Sequence, residues 1–228
     1  MPLFLGDPTI ILLIPALIFA FWAQGLVKST YNKYSKIANR KGLTGADVAR
    51  RLLSENRVYE VNVEQTQGRL TDNYNPKTKI LSLSEAVYSG TSIAALGIAA
   101  HETGHAIQHS SGYAALNLRT AIYPVSAFGS NLALPLFFVG MFFFHSKTMM
   151  DIGIILYIGA LAFTLITLPV EFNASARAVT ILAEGGYLKD EELTGARKVL
   201  NAAAMTYVAA TAMAAVQLLR MLFLRDRE

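Results

Sequence analysis

The chain has 228 residues, of which 53% are hydrophobic and 16% charged, with a mean hydropathy of +0.38 and no cysteine. An average soluble domain is about a quarter charged, so this balance argues against a purely water-soluble globule. The missing thiols exclude a disulfide scaffold, a thiolate zinc site, a cysteine-held iron–sulfur cluster and a cysteine nucleophile, and leave any metal to His, Asp or Glu. The formal net charge of +4 calls for no nucleic acid. Basic residues beside a bilayer attract anionic head groups, and no basic stripe interleaved with aromatics is present.

Four stretches free of charged side chains approach or exceed the roughly 20 helical residues needed to cross a hydrocarbon core: residues 8–27, 121–144, 152–170 and 199–219. The first carries Trp22 at its rim and stops before Lys28. Its start, Met1-Pro2-Leu3-Phe4, lacks the basic residues of a cleavable signal peptide, so it reads as a retained anchor. Lys28, Lys33, Lys36, Arg40, Lys41, Arg50 and Arg51 follow it closely. By the positive-inside rule they place the amino terminus outside and residues 28–120 in the cytoplasm.

Within 28–120 a small mixed domain is expected. Thr44 followed by Asp47 marks a helix start leading into residues 46–53, with Val48, Leu52 and Leu53 on one side. Residues 58–64 alternate with period two and predict a strand. Residues 72–77, Asp-Asn-Tyr-Asn-Pro-Lys, form a turn cluster, and residues 79–83 a second short strand. A helix is predicted over 93–108.

Residues 121–170 read as a transmembrane hairpin with its connection, 145–151, outside. The chain re-enters the cytoplasm as a helix over 171–182, which Gly185-Gly186 stops, and another helix starts at Asp190 and runs to Leu200. Residues 201–228 form a carboxyl-terminal helix and a possible fourth span. Its Ala- and Thr-rich composition suits burial or the membrane surface equally well, and a full crossing would leave Arg225 and Arg227 outside, against the charge rule. No internal repeat is present.

The chemistry sits in His101-Glu102-Thr103-Gly104-His105, an H-E-x-x-H sequence within the helix predicted over 93–108. Positions four apart share a helix face, so both imidazoles can grip one zinc ion. Glu102 lies beside them, placed to act as a general base toward water. Two ordinary helix-face histidines are the plain alternative, and Gly104, a poor helix former, weighs against it. A catalytic zinc site needs a third protein ligand. His109 is about 12 Å of helical rise from His101, too far to share the ion. His145 falls across the membrane, and the position of the metzincin third histidine is Ser111. Among the carboxylates Glu171 is the choice, because it stands where the third apolar run ends on the motif's side of the bilayer. Its plain alternative is a solvated acid favoured by a helix amino terminus.

With these residues the chain resembles the YugP-type membrane zinc metallopeptidases, the type 2 neutral zinc metallopeptidases. The likeness is carried by Tyr74-Asn-Pro, Leu96-Gly-Ile-Ala-Ala-His-Glu, the run from Gly104 to His109, Glu171-Phe-Asn-Ala-Ser175 and the run from Gly195 to Ala204. More distantly it is similar to the HtpX-like gluzincins. The resemblance implies zinc ligands at His101, His105 and Glu171 and a general base at Glu102. The HtpX-like pattern has Asp four residues after the ligand glutamate, orienting a histidine ligand; here that position is Ser175, which can still hydrogen-bond. Asn173 and Arg177 project from other faces of the helix. Arg177 reads as an oxyanion donor or, more plainly, as a surface arginine that meets lipid or carboxylate. His109, with Ser175 and Arg177, completes the candidates for contacts with the ligands or the substrate. The resemblance also sets residues 80–83 where such peptidases keep an edge strand that pairs with extended substrate, although a plain core strand is an equal reading.

The expected protein is a predominantly α integral membrane protein of the plasma membrane. It has three to four transmembrane helices and a small α+β cytoplasmic, zincin-like metallopeptidase domain, binds Zn2+, and cleaves peptides or membrane proteins at the bilayer surface. The rival from another class is a non-catalytic membrane scaffold or adaptor with a structural metal, which a fourth protein ligand would favour. An intramembrane site-2-type protease is a second alternative, disfavoured by the polar residues between Thr91 and Ser111.

Overall fold

Residues 8–227 are described in a computed structural model of the chain. The residues Met1 to Phe4, on which the retained-anchor reading rests, lie outside them. In chain order the elements are a 3₁₀ turn at Pro8–Leu12, α1 (Leu13–Tyr34), α2 (Gly45–Glu55), β1 (Asn62–Thr66), β2 (Asn73–Asn75), β3 (Ile80–Ser84), α3 (Glu85–Tyr88), α4 (Ile93–Ser110), α5 (Ala114–Val139), a π-helical turn (Gly140–Phe144), α6 (Lys147–Glu184) and α7 (Asp190–Arg225). The chain is mostly helical with one three-stranded sheet. It divides into two compact units, one of residues 8–23, 118–168 and 206–227, the other of residues 24–117 and 169–205. Four helices, at Pro8–Tyr34, Ala114–Phe144, Lys147–Glu184 and Asp190–Arg225, are long and apolar enough to cross a membrane.

In the first unit α5 and α6 form a helical hairpin. The π-helical turn prolongs α5 until His145 takes a left-handed φ of 46° and ends it, so that α6 begins at Lys147. The seven-residue connection expected over 145–151 is therefore shorter than the charge-free runs suggest, because Lys147 to Asp151, although bounded by charged residues, already belong to the first turns of α6. Gly153 permits the close crossing: a Cβ there would stand 2.8 Å from the carbonyl oxygen of Ala133 and 2.9 Å from Cβ of Phe137. Phe137, Met150, Ile154 and Met221 make the core, while Phe21, Val125 and Phe143 point outward at 69%, 75% and 77% exposure. Apolar surface on this scale marks contact with lipid or another apolar partner.

The helices expected at 190–200 and 201–228 are one. α7 runs unbroken through Arg220, whose Nε donates to Thr9 Oγ1 at 3.2 Å and whose guanidinium lies 5.9 Å from the Phe138 ring. Near its end, Arg225 Nε and Nη2 donate to the two carboxylate oxygens of Asp151 at 2.8 and 3.1 Å. This two-pronged pair sets the carboxyl end of α7 beside the α5–α6 turn.

In the second unit α2 starts as its sequence dictates. Thr44 Oγ1 accepts from the backbone N–H of Asp47, and the Asp47 carboxylate accepts from the backbone N–H of Thr44, satisfying two amides that have no partner inside the helix. Val48, Leu52 and Leu53 are buried. α4, capped by Ser92, lies at the centre. Leu96 and Ala100 pack with Tyr31, Tyr34, Leu182 and Val199, and Ala95, Ala99 and Ala106 pack beneath the sheet with Leu81 and Leu83.

The sheet departs from expectation in two ways. The period-two run is a strand only from Asn62 and continues to Thr66; Val58 and Val61 are buried in the core ahead of it. The turn-like cluster at 72–77 contains β2, which forms a hairpin with β3 through residues 76–79. The strand order is β1-β3-β2, with β1 parallel to β3 (Asn62 opposite Ile80) and β2 antiparallel to it (Tyr74 opposite Leu81). Residues 80–83 are therefore not an edge strand: β3 is paired on both sides and its Leu81 and Leu83 are wholly buried. The edges are β1 and β2. β2 was hidden because Asn and Asp are strand-poor residues, and its three residues are held in place by Asp72, whose carboxylate accepts from the backbone N–H of Ser84 at 2.7 Å.

Candidate metal centre

The H-E-x-x-H sequence is helical throughout and its two histidines face α6. What lets α6 come near is Gly104. A Cβ on it would lie 2.8 Å from the carbonyl oxygen of Ala174, so the two helices meet where α4 has no side chain and α6 has only a buried alanine. Three residues before Ala174, Glu171 reaches the histidines. Its Oε2 lies 3.3 Å from Nε2 of His101 and 3.6 Å from Nε2 of His105, and one ligand atom from each of the three residues lies within 4.8 Å of the others. The imidazole rings stand nearly perpendicular, with centroids 4.7 Å apart.

These separations test whether zinc fits. Four-coordinate zinc with bonds of about 2.0–2.1 Å holds its ligand atoms about 3.3–3.4 Å apart. The two carboxylate–imidazole distances match to within a few tenths of an ångström, and two imidazoles with one carboxylate are a donor set suited to zinc. Among the described residues the cluster has three members and no fourth His, Asp or Glu, which corresponds to an open rather than a closed coordination shell.

Each histidine is held from behind. His105 Nδ1 lies 3.0 Å from Gln108 Oε1, and the Gln108 amide donates to the carbonyl of Val170 and to Asn173 Oδ1, both at 2.9 Å. With the amide so arranged, Gln108 Oε1 can only accept, so His105 carries its proton on Nδ1 and offers the Nε2 lone pair to the centre. Ser175 Oγ lies 3.2 Å from His101 Nδ1, one helical turn after Glu171 and on the same face. Arg177 Nε donates to Asn173 Oδ1 at 2.8 Å, bracing the oxygen that receives Gln108. Asn173 and Glu171 do leave α6 on different faces, and the long Gln108 side chain reaches across to Asn173. Gln108 is wholly buried. Its spacing of three from His105 was the available signal, obscured because a glutamine after a helical motif is unremarkable by composition.

Glu102 is half-buried beside the cluster. Burial pushes its carboxyl above the usual range, the charges of Glu171 and Asp72 add to this, and His101 and His105 oppose it. His105 is also raised: burial opposes its charged form, but a hydrogen bond that the protonated ring donates to Glu171 and the charges of Glu102 and Glu171 outweigh that. His109 is not part of the cluster. Its Nδ1 lies 2.8 Å from the hydroxyl of Tyr74 and ties β2 to α4.

The three-residue centre on a helix-borne H-E-x-x-H defines the class of zinc-peptidase-like proteins. Residues 9–226 match the family described as "Putative neutral zinc metallopeptidase", and the chain belongs to it. It is 49% identical over 221 residues to "Putative membrane protease YugP" of Bacillus subtilis (strain 168), covering 96% of this chain and 98% of that protein. No solved structure gives a significant match.

Proposed function

We propose that this protein is a membrane-embedded zinc endopeptidase that hydrolyses peptide bonds at the cytoplasmic membrane surface. The observation that carries the reading is the convergence of His101, His105 and Glu171 with Glu102 beside them. Held by those three residues, zinc supplies Lewis acidity toward water and toward a peptide carbonyl.

The protein's own groups do the remainder. Gln108 and Ser175 hold the imidazoles with their Nε2 atoms inward. Glu102 takes a proton from the attacking water and returns it to the leaving amine, a pair of tasks suited to a carboxylate whose affinity for protons burial raises above the ordinary range. A fourth protein ligand would favour the scaffold reading, and the three-membered donor set among the described residues supports catalysis instead. The basic residues after α1's apolar run support a cytoplasmic centre. Arg225 beside Asp151 supports a full crossing by α7, since its positive charge is matched by a carboxylate at that end. Placement at the plasma membrane points to membrane proteins or their juxtamembrane segments as substrates.

The test is zinc content and casein cleavage by the purified wild type, Glu102→Gln and Glu171→Ala in detergent. Glu102→Gln should keep zinc and lose cleavage, and Glu171→Ala should lose most of the metal. Equal zinc and equal cleavage in all three would refute the reading.

A further inference from the structure

We propose that the groove between α1, α6 and α7 in the second unit is a binding site for an anionic phospholipid; this stands whether or not the metal centre cleaves peptides. The groove has a volume of about 700 Å³ and is walled by Leu26 and Lys33 of α1, Phe172 of α6, and Lys198, Asn201 and Met205 of α7. Two lysines from different helices face it and its wall contains no carboxylate. Among the described residues neither lysine is paired with an acid. The polar part of the wall therefore complements an anion, while Leu26, Met205 and Phe172, 43% exposed, complement hydrocarbon.

A second observation fixes the level of the groove. On α1 the charge-free run 8–27 ends one residue after Leu26. On α6 the run 152–170 ends two residues before Phe172, and on α7 the run 199–219 begins directly after Lys198. Three helices thus leave their apolar runs at the same groove, which is where phosphate and glycerol sit when such helices cross a bilayer. A free phosphate would use only the lysines. A phospholipid uses the lysines for its head group and the apolar wall for the start of its tails.

The experiment is native mass spectrometry of the full chain released from nanodiscs containing phosphatidylglycerol and phosphatidylcholine in equal amounts. It compares wild type with Lys33→Gln/Lys198→Gln, Lys33→Arg/Lys198→Arg and the distant control Lys77→Gln/Lys189→Gln. Wild type, the Arg pair and the control should retain phosphatidylglycerol preferentially, and the Gln pair should hold it roughly 25-fold more weakly. Added inorganic phosphate should not displace it. Equal retention of the two lipids, undiminished retention by the Gln pair, or displacement by inorganic phosphate would overturn the proposal. If the Gln pair does not fold, acetylation of the wild type decides: Lys33 and Lys198 should be protected in phosphatidylglycerol relative to phosphatidylcholine nanodiscs while Lys77 is not, and equal reactivity overturns it.

Discussion

Replacing Gly104 by alanine adds one methyl group at the point where α4 and α6 touch. By helix propensity alone the change should stabilise α4 by up to about 1 kcal/mol. The new Cβ would stand 2.8 Å from the carbonyl oxygen of Ala174, whereas a carbon–oxygen contact needs about 3.3 Å or more. The neighbour is backbone rather than a flexible side chain, so α6 must retreat by about half an ångström. Glu171 lies less than one turn away on α6 and moves with it. Metal–ligand distances tolerate about 0.2 Å, so the displacement exceeds what the centre can absorb. Crowding of this kind costs about 1–3 kcal/mol, which outweighs the propensity gain. The expected result is a zinc affinity lowered by about 10–100-fold, the range seen when the supports of a metal site are disturbed, with a melting temperature that no longer rises on adding zinc to the extent seen in wild type. Chelator competition and thermal unfolding in detergent, with and without zinc, measure both. A Gly104→Ala protein that binds zinc as tightly as wild type and melts at or above it would refute the close-approach argument.

Gln108→Ala should weaken zinc by about 10–100-fold, because His105 loses the partner that sets its tautomer; chelator competition with unchanged affinity would refute this. Gln108→Glu tests the same link, since a carboxylate can accept from His105 but cannot donate to Val170 and Asn173. It should retain more zinc than Gln108→Ala while melting lower than wild type. Zinc affinity should fall as pH is lowered: in the metal-free protein His105 keeps its proton to a higher pH than a free imidazole, so zinc competes with that proton, at about tenfold in affinity per pH unit for one proton. Titrations between pH 6 and 8 that show no slope would contradict it. Thr44→Ala should remove the capping box of α2 at a cost of about 1 kcal/mol, visible as a lower melting temperature with zinc affinity intact.

Much of this protein is written locally. The charge-free runs announce the apolar helices, Thr44 and Asp47 announce the start of α2, Gly185-Gly186 the end of α6, and H-E-x-x-H the two imidazoles, because caps, breakers and helical periodicity act over a few residues. The absence of cysteine restricts the donors to His, Asp and Glu. Other features depend on what a segment meets. β2 is a strand only because β3 and Asp72 hold a polar triplet extended, and the same pairing puts β3 inside the sheet instead of at its edge. α6 and α7 run on through the positions where a change from apolar to polar suggested separate helices, since burial changes along a helix without breaking its backbone hydrogen bonds. At the centre, the sequence alone determined that two histidines share a face and that Glu171 was the carboxylate to expect. Tertiary structure decided that Oε2 of Glu171 comes within 3.6 Å of both, and that Gln108, Asn173, Arg177 and Ser175 brace them. The physical reason is that the contacts joining α4 to α6, Glu171 to the two histidines, Gln108 to Val170 and Asn173, and Ser175 to His101, cross more than sixty residues of chain and need the room that Gly104 leaves for the backbone of Ala174.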